Sequence, residues 1–466
     1  MVQTGTVKVV VAGASGFVGR KLVPRLAAAG HQVVALSRNP GPAAAGDQVE
    51  FMAVDVGDAA ELSRALSGAG AAYYLIHSMA GENFVKKDLA LAAGFAEAAA
   101  AAGVGRIVYQ GALGRGRLSA HLSSRQEVGR ALGSTGVPVV ELRAAVILGS
   151  GSTSFEMMRY LTERLPMMIC PRWVRTRTEP IALSDVLEYL VRGLEAPPGV
   201  YEIGCGEVTS YQDMMHRYAE VRGLRYRPIL NVPLLTLHLS GYWVDLITPL
   251  DRKVTHALIG SMTSSVTVRD AGRTLAAFRI EPLSLEESMQ KALDDQAAQL
   301  PDRLFDGFEG LSENVYRVYL EHKVDPEAAA AIRTDLAGIG GDLAWYGWPW
   351  AWRGRFLLGM LLGERHPIGR PQSMTAGEAA DWWIIERTTQ DALILRSAGW
   401  LTGEGWLGYS IPPGGDCLKV AAAFRPRGLP GFLYWFLLTP VHKAAFRAMA
   451  KARIRRAART GGPDPS

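Results

Sequence analysis

The stretch Gly13-Ala14-Ser15-Gly16-Phe17-Val18-Gly19 decides how this chain is read. It follows a valine-rich run, VKVVVA (7–12), and opens the amphipathic stretch FVGRKLVPRLAAAG (17–30). The first has the character of a strand and the second the spacing of a helix. In that setting each glycine of G-x-x-G-x-x-G has a mechanical role. The first permits a tight turn, the second lets backbone approach a pyrophosphate, and the third lets helix and strand pack closely. Amides at the helix start and the positive end of its dipole favour the same phosphates. Gly13, Ser15, Gly16, Phe17, Val18 and Gly19 are therefore candidate dinucleotide contacts.

Working outward, strand-like runs recur in HQVVALSR (31–38), EFMAVD (50–55), AAYYLIHS (71–78), GRIVYQGA (105–112) and PVVELRAAVI (138–147). Helical segments fall between them, at 59–66, in the alanine-rich stretch 84–102, and at 123–133. Strands alternating with helices at this spacing predict an α/β fold, a doubly wound parallel sheet covered on both faces. An acid at the end of the second strand would bond the ribose hydroxyls of NAD. Here that place reads Ser37-Arg38-Asn39. The planar guanidinium of Arg38 suits a 2′-phosphate, so NADP(H) is expected over NAD(H). Asp55 is placed either to accept from the adenine amine or to cap its own loop.

The whole chain bounds the rest. Its 466 residues are too many for one ordinary domain, and 48% hydrophobic with 20% charged content describes a folded protein. Cys170, Cys205 and Cys417 lie far apart, which suits a reducing compartment and suggests neither a disulfide framework nor a metal site. The amino terminus runs straight into a strand, so a cytoplasmic protein is expected. The net charge of +5 is concentrated in KAAFRAMAKARIRRAAR (443–459), behind the apolar run GFLYWFLLTPV (431–441). That run is too short to span a bilayer. The pattern fits an anchor lying peripherally on a membrane, and equally a helix that packs its first half and solvates its basic end. Beyond charge, nothing points to nucleic acid.

After about residue 149 the alternation fades, and the segment to 297 should build the substrate side of a cleft. Phe155, Met158, Trp173, Arg175 and Arg177, with Met157, Tyr160 and Met168 nearby, suit a hydrophobic small molecule with an anionic end, or an ordinary core edged by arginines. A first domain is expected over 1–297, a linker over 298–312, a second domain over 313–460 and a tail over 461–466.

The residues 7 to about 295 resemble the short-chain dehydrogenase/reductase superfamily, and its atypical, NmrA-like branch in particular. The likeness rests on GASGFVG (13–19), VDV (54–56), LIHSM (75–79), VYQGAL (108–113) and ELRAAVILG (141–149). It implies a Rossmann sheet and NAD(P)-dependent oxidoreductase chemistry. Arg143 matches an arginine often seen at the end of the sixth strand, where pairing with a carboxylate would serve structure alone. Active members end the fifth strand in a hydroxyl residue and follow it with a tyrosine and lysine at Y-x-x-x-K spacing. This chain has Gln110-Gly111-Ala112 at the strand end, then His121 and Arg125. Arg125 can hold ribose hydroxyls but cannot act as a base. His121, or His77 beside Ser78 after the fourth strand, could carry a proton. His77 and Ser78 also stand where this fold approaches its cofactor. The alternative is a non-catalytic NADP(H)-binding regulator, or an assembly or lipid-handling factor.

A different composition begins near Glu313. Strand-like runs, NVYRVYLEHKV (314–324), DWWIIERTT (381–389), DALILRSAG (391–399), GEGWLGYSIP (403–412) and CLKVAAAFRP (417–426), precede a long helix at about 430–459. This α+β pattern resembles the helix-grip, START-like (polyketide-cyclase-like) superfamily. The fusion resembles bacterial proteins that join an atypical short-chain dehydrogenase to a domain of unknown function, through RFLLGMLLG (355–363), DWWIIER (381–387) and FRPRGLPGFLYWFLLTPVHKAAFRAMAK (424–451). The likeness implies a space for an apolar ligand, lined or filled by Trp345, Trp348, Trp382, Trp383, Trp406, Tyr434, Trp435 and Phe436.

Overall fold

The computed structural model describes residues 6–39, 48–77, 83–116, 118–232, 237–305, 314–336, 374–381, 383–397 and 402–460, with isolated positions at 354, 357 and 360. Ser78, Trp345, Trp348 and Trp382 lie outside the described residues, as does most of RFLLGMLLG. The chain divides into two compact units. The first comprises residues 1–161 and 167–293, and the second 162–166 and 294–466.

The first unit is built on seven parallel strands: β1 (Lys8–Ala12), β2 (Gln32–Ser37), β3 (Val49–Ala53), β4 (Ala71–Tyr74), β5 (Ile107–Ala112), β6 (Val139–Ala144) and β7 (Gly199–Ile203). Their spatial order is β7-β6-β5-β4-β1-β2-β3. The sheet winds both ways from β1, the doubly wound arrangement, and its switch point lies between β1 and β4. The run GVYEIGCGE (199–207) thus supplies an edge strand of the main sheet, with Tyr201 opposite Leu142. Four helices cover the sheet between its first six strands: α1 (Gly19–Ala28), α2 (Ala59–Leu66), α3 (Phe84–Ala101) and α4 (Ala120–Leu132).

Alternation along each strand sends side chains to opposite faces. Val9 and Val11 pack with Leu22 and Leu26 of α1, while Val10 and Ala12 pack with Phe95 and Ala99 of α3. The alanines of α3 let it lie close over the strands, and its buried stripe is Asp88, Ala92, Phe95, Ala96 and Ala99. One member of that stripe is charged. Helix α4 begins three residues earlier than its apolar spacing predicts, because Ser119 caps it by accepting from the Leu122 amide. Position 121 is thereby placed in the helix's first turn.

Among the described residues, the second unit holds a six-stranded antiparallel sheet. In spatial order its strands are Tyr316–Lys323, Cys417–Pro426, Gly403–Ser410, Ala392–Ser397, Trp383–Thr388 and Ala379–Ala380. One face, through Leu393, Leu395, Val420 and Ala422, meets Trp435, Phe446, Met449 and Ala450 of the closing helix Gly428–Thr460. The other, through Ile394, Trp406, Ala421 and Ala423, meets Leu300 and Leu304. The helix Leu285–Arg303 therefore runs past residue 298, where composition predicts a linker, since Ala297 and Leu300 have apolar surface to bury. Trp383, Trp406 and Trp435 are buried in this packing, Tyr434 is half-buried, and Phe436 is exposed.

Candidate active site

Gly13 leaves β1 at a φ of 87°, in the left-handed region where a side chain is strained. A Cβ there would also come within 2.9 Å of the Leu75 carbonyl carbon. A Cβ on Gly19 would overlap the Gly13 carbonyl oxygen, so the start of α1 can lie against the turn only with glycine. The Gly16 amide donates to the Gly13 carbonyl at 3.0 Å and closes the loop. Among the described residues, the amides of Ser15, Phe17, Val18 and Gly19 have no backbone acceptor. A helix start with unpaired donors and no side-chain cap on Val18 fits an anionic group. The turn therefore fits a dinucleotide pyrophosphate on its own geometry.

Arg38 lies exposed one residue beyond β2, with Ser37 Oγ donating to the Asn39 carbonyl beside it. Asp55 is exposed after β3, and its Oδ1 accepts from the Gly57 amide at 2.9 Å. It closes its own loop, whatever else it contacts. Arg143 pairs with the buried Glu141 at 2.8 Å.

At the carboxyl ends of β4 and β5 lies a cleft of about 190 Å³, lined by Phe17 from the glycine turn and by His77, Gln110, His121 and Arg125. Two histidines distant in sequence meet here. His77 Nε2 lies 3.1 Å from His121 Nδ1, and His77 Nδ1 lies 3.1 Å from Asp88 Oδ2. Asp88 is 2% exposed on the sheet-facing stripe of α3. With the carboxylate accepting, His77 carries its proton on Nδ1, and its Nε2 accepts from His121 Nδ1–H. His121 Nε2 is left with its lone pair. Burial lowers the pKa of His77 from its ordinary value; the bond to Asp88 opposes the shift and Arg125 adds to it. His121 is pushed down to about 3, first by burial and then by His77 and Arg125. It stays neutral at any ordinary pH.

Arg125 is 7% exposed, and its guanidinium donates to the carbonyl and to Oε1 of Gln110, the latter at 3.1 Å. It also sits 5.2 Å from the Tyr109 ring centre, while the Tyr109 hydroxyl donates to the Arg125 carbonyl at 2.8 Å. A guanidinium has five N–H donors, more than Gln110 takes up. Burial pushes the Tyr109 phenol up to about 12, so that group is a hydrogen-bond donor and not a base.

None of Phe155, Met158, Trp173, Arg175 and Arg177 lines the cleft. Phe155 and Met158 lie in the core at 0% and 4% exposure, on the inner side of the helix Thr153–Arg164, whereas Arg175 and Arg177 point to solvent. Trp173 stands edge-on to Tyr211 at 6.2 Å, one ring behind the wall. The far wall is instead Tyr211 with Leu258, Met262 and Val266, relieved by Ser152, Ser154 and Ser261. Ser119 and Ser261 lie 3.2 Å apart through their hydroxyls, tying the start of α4 to the helix Arg252–Ser261. Sequence reasoning passed over Asp88 and this far wall. The signal for Asp88 is the spacing of an acid four residues before Ala92 and seven before Phe95, on the apolar stripe of an alanine-rich helix, whereas the helix's other acid, Glu97, lies off that stripe.

Residues 13–134 match a family model described as NAD(P)H-binding. The first unit carries an NAD(P)H-binding domain. Residues 313–449 match a second family, described as a protein of unknown function, DUF2867. Among curated proteins, the chain is 28% identical over 187 residues to the Mycobacterium tuberculosis protein named Uncharacterized protein Rv2047c, and equally to Uncharacterized protein Mb2073c of Mycobacterium bovis. In each case the match covers 40% of this chain and 20% of the relative, so it spans about a fifth of the relatives' length. Similar solved structures include the Bordetella bronchiseptica enzyme WbmH in complex with NAD+, at 16% identity and a TM-score of 0.47 over 62% of this chain and 98% of that one. Another is the Thermotoga maritima UDP-glucose 4-epimerase with UDP-glucose, at 15% identity and a TM-score of 0.49 over 63% and 99%.

Proposed function

We propose that the first unit is an NADP(H)-dependent oxidoreductase that interconverts a hydroxyl and a carbonyl on a small hydrophobic molecule. The observation that carries this reading is the hydrogen-bonded line Asp88–His77–His121 at a cleft that also touches the glycine turn. A bound nicotinamide supplies the hydride acceptor or donor, and the protein needs only to position substrate and manage one proton. His121 Nε2 takes the substrate hydroxyl proton as general base. As it does so, His121 Nδ1–H moves toward His77 Nε2, and the positive charge passes to the ring that touches Asp88. The carboxylate thereby stabilises a charge that burial alone would oppose. In the carbonyl-reducing direction the same protons return.

Arg125 occupies the lysine place of the Y-x-x-x-K pattern and holds the nicotinamide ribose with the donors that Gln110 leaves over. Its charge also disfavours protonation of both histidines, which keeps His121 in the base form. Arg38 and the absence of an acid after β2 support NADP(H) over NAD(H). The apolar far wall, with its three serines, supports a compact hydrophobic substrate carrying one or two polar groups.

The test screens secondary alcohols and ketones of this size with NADP+ and NADPH, then compares the full chain with His121→Asn and Asp88→Asn. Both variants should bind NADPH like the parent and lose about 10²–10⁴-fold in turnover, the range for a positioned acid–base group. Asp88→Asn should act by favouring the wrong His77 tautomer. Undiminished turnover in His121→Asn removes the relay. NADPH binding with no turnover of any compound in the screen favours the non-catalytic NADP(H)-binding regulator.

A further inference from the structure

The closing helix Gly428–Thr460 has 33 residues and contains no aspartate or glutamate. Its buried side packs through Trp435, Phe446, Met449 and Ala450. The opposite side changes chemistry along its length. Leu433, Phe436, Leu437 and Val441 are 44%, 68%, 68% and 51% exposed, a density of open apolar side chains unusual for a solvated helix. Lys443, Arg447, Lys451, Arg455 and Arg456 then follow, all exposed. The steps from Leu433 to Leu437, Pro440, Arg447, Lys451 and Arg455 are four, three, seven, four and four residues. Those steps keep every one of them on a single helical face. Lys443, Phe436 and Val441 flank that stripe and widen it, whereas Arg456 lies off it.

We infer that this face docks on the surface of an anionic lipid bilayer. The apolar half, Leu433 to Val441, enters the boundary between headgroups and acyl chains, and the cationic half lies along the headgroups. An acidic protein or a nucleic acid would satisfy the cations but would leave Phe436 and Leu437 in water. A bilayer surface satisfies both halves, because it places apolar chains beneath a layer of negative charge. The helix lies on the membrane and does not cross it: among the described residues no helix is long and apolar enough to span one. Arg453 takes no part, since it is 2% exposed with its guanidinium 4.3 Å from the Tyr409 ring centre.

The experiment is co-sedimentation of the full chain with vesicles of phosphatidylcholine alone and with vesicles containing about one third phosphatidylserine. Each cation near such a surface gives roughly a fivefold gain in partitioning, so Arg447→Ala with Lys451→Ala should lower binding to anionic vesicles about 30-fold. Phe436→Ser with Leu437→Ser should lower it at least about tenfold through lost apolar insertion. All four side chains are exposed, and thermal melts of the variants should coincide with that of the parent. No sedimentation with anionic vesicles overturns the inference. So does binding that the charge substitutions weaken while the Phe436 and Leu437 substitutions leave it unchanged, since that result makes the face a polyanion or acidic-protein surface.

Discussion

Lowering the pH from about 7.5 to 5.0 should destabilise the first unit by about 2 kcal/mol through His121 alone. In the unfolded chain this imidazole titrates near its ordinary value of 6.5, whereas in the folded unit it is held at about 3. Between those values the unfolded chain takes up a proton that the folded chain refuses. Acid therefore draws the equilibrium toward unfolding, and above 6.5 the contribution vanishes because the ring is neutral in both states. Each pH unit below 6.5 costs about 1.4 kcal/mol, and the 1.5 units down to 5.0 give roughly 2 kcal/mol. That figure hardly changes so long as the folded value stays below about 4. The assay is hydrogen exchange of the β1 and α4 amides across a urea series at several pH values, which reports on the first unit separately from the second. The comparison is His121→Asn, whose side-chain amide keeps a donor for His77 Nε2 but does not titrate. Wild type should lose about 2 kcal/mol more than the variant over this interval. Equal losses would refute the placement of His121 in a site that rejects its charged form.

Two further outcomes concern the cofactor. Gly19→Val should lower NADPH affinity by more than about 100-fold and cost the first unit roughly 1–3 kcal/mol, since the new side chain must displace the Gly13 carbonyl; calorimetric titration that returns the parental affinity would contradict the turn's assignment. Arg38→Ala should weaken NADPH binding by about 10–100-fold, the worth of a charge-assisted hydrogen bond, while NADH binding stays within about twofold. An equal effect on both cofactors would mean that Arg38 does not meet the 2′-phosphate.

What the sequence discloses about this molecule follows from the range of the interactions involved. The doubly wound sheet is legible because strand, turn and helix are each written locally, and the glycine turn works through its own backbone: the strain at Gly13 and the packing at Gly19 lie within seven residues of each other. The antiparallel second sheet is legible for the same reason, through two-residue alternation in runs such as Ala392–Ser397. Charge relationships carry no such local mark. His77 and His121 are 44 residues apart and Asp88 lies eleven beyond His77, so their alignment exists only once β4, α3 and α4 have packed. The far wall of the cleft is hidden in the sequence for a related reason. Phe155 and Met158 have the composition of a pocket, but helical spacing turns them into the core, while Tyr211, Leu258 and Met262 reach the cleft from segments whose pattern gives no direction. In the proposed reaction the same packing lets a histidine and an arginine stand where the resemblance expects tyrosine and lysine. An isolated histidine in the first turn of α4, next to a buried guanidinium, would be a weak and solitary base. In the proposed reaction, the link through His77 to the carboxylate on the inner stripe of α3 gives it a place to send the charge it acquires. Asp88 therefore decides whether the departure from the Y-x-x-x-K pattern is a loss of chemistry or a replacement of it.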